Sequence, residues 1–487
     1  MDVNEIKKQA SIATKWSAIT EIFAKCVSPI TNMVLARLLT PEMFGVVATV
    51  TMIVSFADMF TDAGFQKYLV QHDFDDEDDL NKSTNVAFWT NLILSLVIWG
   101  IICVFSNAIS NLVGNPGMGN VICVAAISLP LTSFSSIQMA RYKREFDFKT
   151  LFYVRMITAI VPFVITIPIA IITRSYWAMI LGTLSTNIIN AVILTVLSKW
   201  KPKLFYSFKR LKDMFAYSFW IMFETISVWF TSYIGTFIVG VFLSTYYVGL
   251  YKTAMTTVNQ IMALITGATS MPLFAALSRL KNDETAMLET YYSFIGAIST
   301  FIVPLGMGIW LYRDAITFLL LGSQWSEAAE FVGLWGLMSS VGLVFGTYCN
   351  GLYNAKGKTY LSLVAQLLHL VVLVPVLIWS APKGFELLYI SRSLVRIEFV
   401  LVQFILMKKF MHIKMVKMLR ECIPAALCTA IYSFIAVYLQ SVSDSIFWHV
   451  FSIVCCVVIY LLVFRMLFRE KMLHAFETFG VVKKEKR

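Results

Sequence analysis

The residues with chemical capability in this chain are charged side chains set inside apolar runs. Glu21, Lys25, Asp58, Arg155, Glu224, Lys252, Arg392, Arg396 and Glu398 all lie in such stretches. An ionisable group in hydrocarbon is costly unless it faces water or a partner, so each is a candidate for a functional role. Glu21 and Lys25 are four apart and share a helical face, which Ser28 and Asn32 extend. That stripe must line a cavity or pack within a bundle; an ion pair closed within its own helix is the other reading. Arg392 and Arg396 also share a face, and two guanidinium groups there form a fork suited to a diphosphate. Their alternative is pairing elsewhere in the bundle. Glu398, two residues from Arg396, must face another way. Lys252 reaches the same central space from the outer third of its span. Arg155 and Asp58 fall nearer the inner third, where Arg155 suits snorkelling. Asp58 suits pairing with a neighbouring cation, or carrying a proton. The expectation is that Lys25, Lys252, Arg392 and Arg396 give a central cavity a net positive field. Glu21, Asp58, Glu224 and Glu398 are then the coupling-ion or ion-pair candidates.

Other chemistries find no foothold. The cysteines Cys26, Cys103, Cys123, Cys349, Cys422, Cys428, Cys455 and Cys456 show no CxxC and no metal-like spacing, and read as small buried hydrophobes. The histidines form no HExxH. No catalytic residue, metal or cofactor is expected. Trp89, Trp177, Trp200 and Trp220 sit at span ends and read as interface anchors rather than sugar-stacking platforms.

The elements that position these charges are membrane helices. The chain has 487 residues, of which 58% are hydrophobic and only 14% charged, and its mean hydropathy is +0.73. A soluble domain carries about 25% charged residues, so a soluble fold is excluded. Crossing the hydrocarbon takes about 20 apolar residues. Runs of that kind fall near 16–39, 43–63, 84–107, 118–138, 150–172, 176–198, 213–241 and 245–275. Others follow near 287–311, 326–352, 359–380, 384–408, 418–440 and 445–467. The expectation is an all-α polytopic protein of about 14 transmembrane helices. With the N-terminus in the cytoplasm, the inward loops hold RYKREFDFK (141–149), KWKPKLFYSFKRLK (199–212), KKFMHIKMVKMLR (408–420) and the tail KKEKR. Only Arg174, Arg313 and Lys383 fall in outward loops, so the bias is strongly positive-inside, with both termini cytoplasmic. The net charge of +11 is thereby accounted for without nucleic acid. The acidic run DFDDEDD (73–79) reads as a solvated inward loop, with partner docking as the alternative. The first residues suit a short interfacial helix. No cleavable signal peptide is visible, and the outward loops are short, the longest between Leu311 and Ser326.

The chain also repeats. LLTPEMFGVV (38–47) matches FLSTYYVGLY (242–251), pairing Gly45 with Gly249. The same offset pairs Trp16 with Trp220, and places Glu224 one residue from the repeat position of Glu21. Further on, Gly114 falls opposite Gly322, and Lys149-Thr150 opposite Lys358-Thr359. The repeat implies two pseudo-symmetric six-helix lobes, 1–200 and 213–410. Two additional helices and a basic tail (411–487) follow them. Secondary transporters built this way hold their substrate between the lobes near the midplane.

The stretch LARLLTPEMFGVVATV resembles the first hairpin of the polysaccharide transporter and O-antigen flippase family. DAGFQKYLVQ, MARYKREFDFKTL, FLLLGSQWSEAAEF and GLYNAKGKTYL follow in that family's order. The resemblance covers roughly residues 10–410; the last two helices match only in hydrophobicity. It places the chain in the multidrug, oligosaccharidyl-lipid and polysaccharide exporter superfamily. It implies a V-shaped two-lobed bundle in the bacterial plasma membrane, alternating access, and an undecaprenyl-pyrophosphate-linked oligosaccharide as cargo. It brings no catalytic residues. The expected partners are the lipid-linked oligosaccharide, membrane lipids, and a glycan polymerase and glycosyltransferases, with the protein acting as a monomer. The competing readings are a multidrug or cation antiporter of the same superfamily, a membrane enzyme such as a polymerase, and a scaffold for glycan assembly. Carboxylates in the cavity would favour the antiporter; several mid-span cations favour an anionic cargo.

Overall fold

The computed structural model describes the backbone of residues 16, 19, 20, 23, 24, 27–62 and 64–478. Side chains are described over the same range except at 62, 216–224, 268, 271 and 478. Glu21, Lys25, the proposed N-terminal interfacial helix and the KKEKR tail lie outside the described residues, as does the Glu224 side chain. Among the described residues every regular element is helical. Eleven stretches are long and apolar enough to cross a bilayer, or twelve if the bent pair Thr245–Gly267 and Pro272–Arg279 is one span. One helix, Phe385–Met411, has 27 residues and stands outside that number because it carries Glu386, Arg392, Arg396 and Glu398.

The chain divides into two compact units, Met1–Gly249 and Leu250–Arg487. The first holds α1 (27–38), α2 (Pro41–Asp62), α3 (Phe65–Gln71), α4 (Glu77–Leu112), α5 (Gly119–Ala125), α6 (Ser128–Arg144), α7 (Phe148–Val161), α8 (Ile167–Thr173), α9 (Trp177–Leu197) and α10 (Phe208–Phe242). A π-helical turn over Pro162–Thr166 joins α7 to α8, where Pro162 lacks the amide that a regular helix needs.

The acidic run before α4 has a local cause. Asp76 is the N-cap, its carboxylate accepting from the Asp79 amide at 2.6 Å, and Glu77, Asp78 and Asp79 occupy the first turn. Carboxylates there satisfy orphan amides and oppose the helix dipole. Asp79 also pairs with Arg210 of α10. Residues 73–76 are thus the exposed loop expected from sequence, whereas 77–79 are the first turn of α4, tied to a neighbour.

A second departure concerns the cysteines. Cys103 of α4 and Cys123 of α5 are joined as a disulfide rather than standing as separate small hydrophobes. They lie 20 residues apart on helices linked by a tight turn at Gly114–Gly117.

Gly45 of α2 meets the start of the helix that opens at Thr245. A methyl on Gly45 would fall 1.8 Å from the Thr245 carbonyl oxygen, and one on Gly249 would fall 1.8 Å from that of Pro41. The two repeat-related glycines thus make a backbone-on-backbone crossing. Gly114 and Gly322, also paired by the repeat, both take the left-handed region, at φ +75° and +102°.

The second unit contains most of α11 (Thr245–Arg279), then α12 (Glu284–Leu311), α13 (Arg313–Leu320), α14 (Ala329–Gly342), α15 (Cys349–Ala355), α16 (Tyr360–Ser380), α17 (Phe385–Met411), α18 (Met415–Gln440), α19 (Ile446–Leu467) and α20 (Arg469–Thr478). The stretch between Leu311 and Ser326 is mostly helical. Arg313 anchors it, 2.8 Å from Glu330 and 4.9 Å over the Trp310 ring. Helices α18 and α19 dock on α12 through its proline. Pro304 has no amide to give the Thr300 carbonyl, and the Tyr460 hydroxyl donates to that oxygen at 2.7 Å. The Tyr432 hydroxyl donates to the Pro304 carbonyl at 2.6 Å. Hydrophobicity made these two helices legible; within their mainly apolar seam with α12, the two tyrosine hydroxyls supply directed contacts.

Candidate functional site

The site grows from two helix faces in the second unit. On α14, Phe331 and Trp335 are four apart and both fully buried. On α17, Tyr389, Arg392 and Arg396 succeed one another at helical spacing, so they form one stripe. The stripes meet. The Arg392 guanidinium carbon lies 4.7 Å from the Trp335 ring centre, and that of Arg396 lies 4.1 Å from the same ring. Two cations therefore share one indole, an arrangement whose attraction strengthens out of water. Gly342 makes room for it: a Cβ there would approach Arg396 Nη1 to 3.1 Å.

Tyr251 of α11 completes the wall. Its hydroxyl accepts from Arg392 Nε at 3.1 Å, its ring stacks on Phe331 at 5.5 Å, and Phe331 stacks on Tyr389 at 5.6 Å. The neighbouring Lys252 lies within electrostatic reach of Arg392. Three of the four expected cations, Lys252, Arg392 and Arg396, are thus gathered by α11, α14 and α17. The fourth, Lys25, is outside the described residues.

The hydrogen-bond balance is donor-rich. Arg392 Nη1 and Arg396 Nε are buried without an acceptor. Glu398 is turned to the other flank of α17, where its Oε2 lies 2.9 Å from His369 Nδ1 of α16. The Phe399 ring covers that histidine edge-on at 5.2 Å. Glu398 therefore engages a histidine, as its two-residue offset from Arg396 requires, and among the described residues the arginines have no carboxylate partner. Sequence reading missed Trp335, Tyr251 and His369. Trp335 and Tyr251 had a legible signal in their aromatic spacing near charged spans, whereas His369 had none.

In the first unit, Asp58 of α2 accepts from the hydroxyls of Thr61 and Thr132, each at 3.2 Å. Among the described residues its partners are hydroxyls, not the cation expected of it. Arg155 is exposed on α7.

Long apolar helices, with buried cations held against aromatic rings in the second unit, define a multi-pass α-helical membrane protein. The sequence pattern of the family described as polysaccharide biosynthesis protein matches residues 34–330, and the chain belongs to that family.

Among its sequence relatives it is 24% identical over 392 residues to an uncharacterised membrane protein in the cps region of Klebsiella pneumoniae (78% of this chain, 79% of that one). It is 22% identical over 326 residues to the succinoglycan biosynthesis transport protein ExoT of Rhizobium meliloti (67% and 65%). It is 18% identical over 382 residues to the lipopolysaccharide biosynthesis protein WzxC of Escherichia coli (77% and 75%). Among solved structures, the lipid II flippase MurJ in an inward closed conformation aligns with TM-score 0.70 at 16% identity, covering 94% of this chain and 98% of that one. An inward-facing multidrug resistance MATE transporter aligns at 0.55 with 12% identity, covering 81% and 98%. These two likenesses show the fold alone, one shared with a lipid II flippase and a multidrug resistance transporter. The chain is a multi-pass protein of the bacterial plasma membrane with the fold of a flippase, and one of these relatives, ExoT, is named as a transport protein.

Proposed function

We propose that this protein carries an undecaprenyl-pyrophosphate-linked oligosaccharide outward across the plasma membrane by alternating access. The observation that carries the reading is the pair of guanidinium groups on Trp335, with buried donors that lack acceptors and with Lys252 beside them. A diphosphate leaving the headgroup region needs compensating cations, and planar guanidinium groups meet its oxygens two at a time. Arg396 lies about 18 Å along its helix from Gly384, near the bilayer midplane, where compensation is needed most. Lys25 is the fourth cation of this proposal, and Glu21, Asp58, Glu224 and Glu398 remain its coupling-ion or ion-pair candidates.

The lipid tail has a separate requirement. A cavity of about 430 Å³ between α12, α18 and α19, lined by Phe301, Leu305, Ile309, Val457 and Leu461 among others, is almost wholly apolar. It suits a polyprenyl segment. The lobes 1–200 and 213–410 would alternate access, with 411–487 supplying the tail's groove.

The test is replacement of Arg396 by Ala in a strain that depends on this gene for surface glycan. The expected result is loss of surface glycan, normal protein level, and lipid-linked intermediate retained on the inner leaflet. Export at the wild-type level would remove Arg396 from the mechanism. Drug resistance lost with glycan intact would point instead to the multidrug antiporter.

A further inference from the structure

We infer that the first unit holds its own phosphate site, at the cytoplasmic end of the bundle formed by α6, α7 and α9. A cavity of about 300 Å³ opens there, and Thr20, Lys143, Arg155, Thr158, Thr186, Asn187 and Asn190 supply its polar lining. Lys143 sits beside Arg141 and Arg144 in the last turn of α6. By the positive-inside bias that end faces the cytoplasm.

The charge balance of this cavity is the first argument. Neither Lys143 nor Arg155 has a carboxylate partner among the described residues. The acidic groups nearest in sequence are engaged elsewhere. Glu145 lies 3.5 Å from Arg141. Asp147 caps α7, accepting from the Thr150 amide at 3.0 Å and the Thr150 hydroxyl at 2.7 Å. Among the described residues, two positive charges thus share one polar cavity with no local anion assigned to them; Glu21, next to the lining residue Thr20, lies outside those residues. Opposite charge is what such a cavity selects.

The donor chemistry is the second. An ammonium and a guanidinium bring donors only, and the amides of Asn187 and Asn190 bring two more N–H groups each. Asn190 is held only by a long contact, Nδ2 to Ser135 Oγ at 3.5 Å. Thr158 and Thr186 spend their hydroxyl protons on the carbonyls of Arg155 and Gly182, at 3.1 and 2.8 Å, and so add no donor; the site's donors are those of Lys143, Arg155, Asn187 and Asn190. Tetrahedral phosphate oxygens, esterified or free, match a donor-rich site of this size. Simple snorkelling accounts for Arg155 alone. It does not account for a second cation and two asparagines on three helices lining one cavity.

This inference rests on the proposed transport reading only in its use: a lipid diphosphate entering from the inner leaflet would meet this site before the arginines of the second unit. The binding itself stands apart. The experiment uses the purified full-length chain and inorganic pyrophosphate, titrated by calorimetry. The expected stoichiometry is two. Lys143→Gln with Arg155→Gln should weaken one site at least tenfold, Arg155→Lys should retain most of it, and Arg396→Gln should weaken the other. Arg155 is exposed, so Arg155→Gln alone, checked by gel filtration, serves if the double variant aggregates. Two unchanged sites in the Lys143/Arg155 variant would overturn the inference. Binding that responds to Arg396→Gln alone would overturn it while leaving the transport reading intact. Binding that responds to Lys143 and Arg155 alone would support it and count against the second-unit site. Nanodiscs decide the source of the phosphate. Competition by undecaprenyl diphosphate in phosphatidylcholine, but not by phosphatidylcholine alone, identifies a lipid headgroup. Pyrophosphate binding that such discs fail to displace identifies a free phosphate compound.

Discussion

Replacing Arg396 by Lys keeps the charge and removes the plane. In the structure the Arg396 guanidinium lies 4.1 Å over Trp335 and leaves its Nε without an acceptor. Lysine has no flat face for the indole and cannot present two parallel donors to one phosphate. A cation–π contact out of water contributes about 2 kcal/mol, of which an ammonium recovers part. A hydrogen bond to a charged group contributes about 1.5–3 kcal/mol, and one of the two is lost. Since lysine also recovers some of the second, a net loss of about 2 kcal/mol is reasonable, which is about 30-fold in affinity. Calorimetric titration of the purified protein with pyrophosphate reads this directly, and surface-glycan export in cells reads its consequence. Trp335→Leu should weaken the same site while leaving both charges. Affinity changed less than about threefold by Arg396→Lys would mean that net charge alone suffices, and the forked geometry would have no role.

Further outcomes are expected elsewhere. Gly45→Ala would put a methyl against the Thr245 carbonyl, and such overpacking costs about 1–3 kcal/mol; a melting temperature equal to wild type in detergent would refute the tight crossing. Glu398→Leu would leave His369 buried without its partner and destabilise by about 1–3 kcal/mol, whereas Glu398→Gln keeps an acceptor and should cost less. Equal losses in the two variants would show that the hydrogen bond contributes nothing. Cys103 and Cys123 should resist maleimide in membranes from cells grown aerobically and label after reduction; labelling without reductant would show them to be free thiols.

The helices were legible in the sequence because hydrocarbon imposes one length and one composition, and both can be read from a single chain. The apolar run expected over 384–408 is observed as Phe385–Met411, and that expected over 445–467 as Ile446–Leu467. Spacing alone also placed Arg392 with Arg396 and turned Glu398 away. What could not be read was which helices become neighbours. Trp335 lies about 60 positions before Arg396, and no local pattern joins them. The same holds for the hydroxyls that meet Asp58, one of which comes from Thr132 on another helix. The acidic stretch at 77–79 misled for a different reason. Its composition is that of a loop, but carboxylates are also what a helix start attracts, and only the position of Asp76 relative to the Asp79 amide separates the two.

The meeting of Gly45 with Gly249 has a mechanical side. Helices that interlock through side chains must climb over one another's ridges to turn. Where bare peptide lies on bare peptide no teeth engage, so the alternating access proposed above would find a smooth bearing at that point. A single added methyl would act there as a chock under a wheel, freezing the machine in whichever posture best accommodates it, which makes this position a handle for trapping one state.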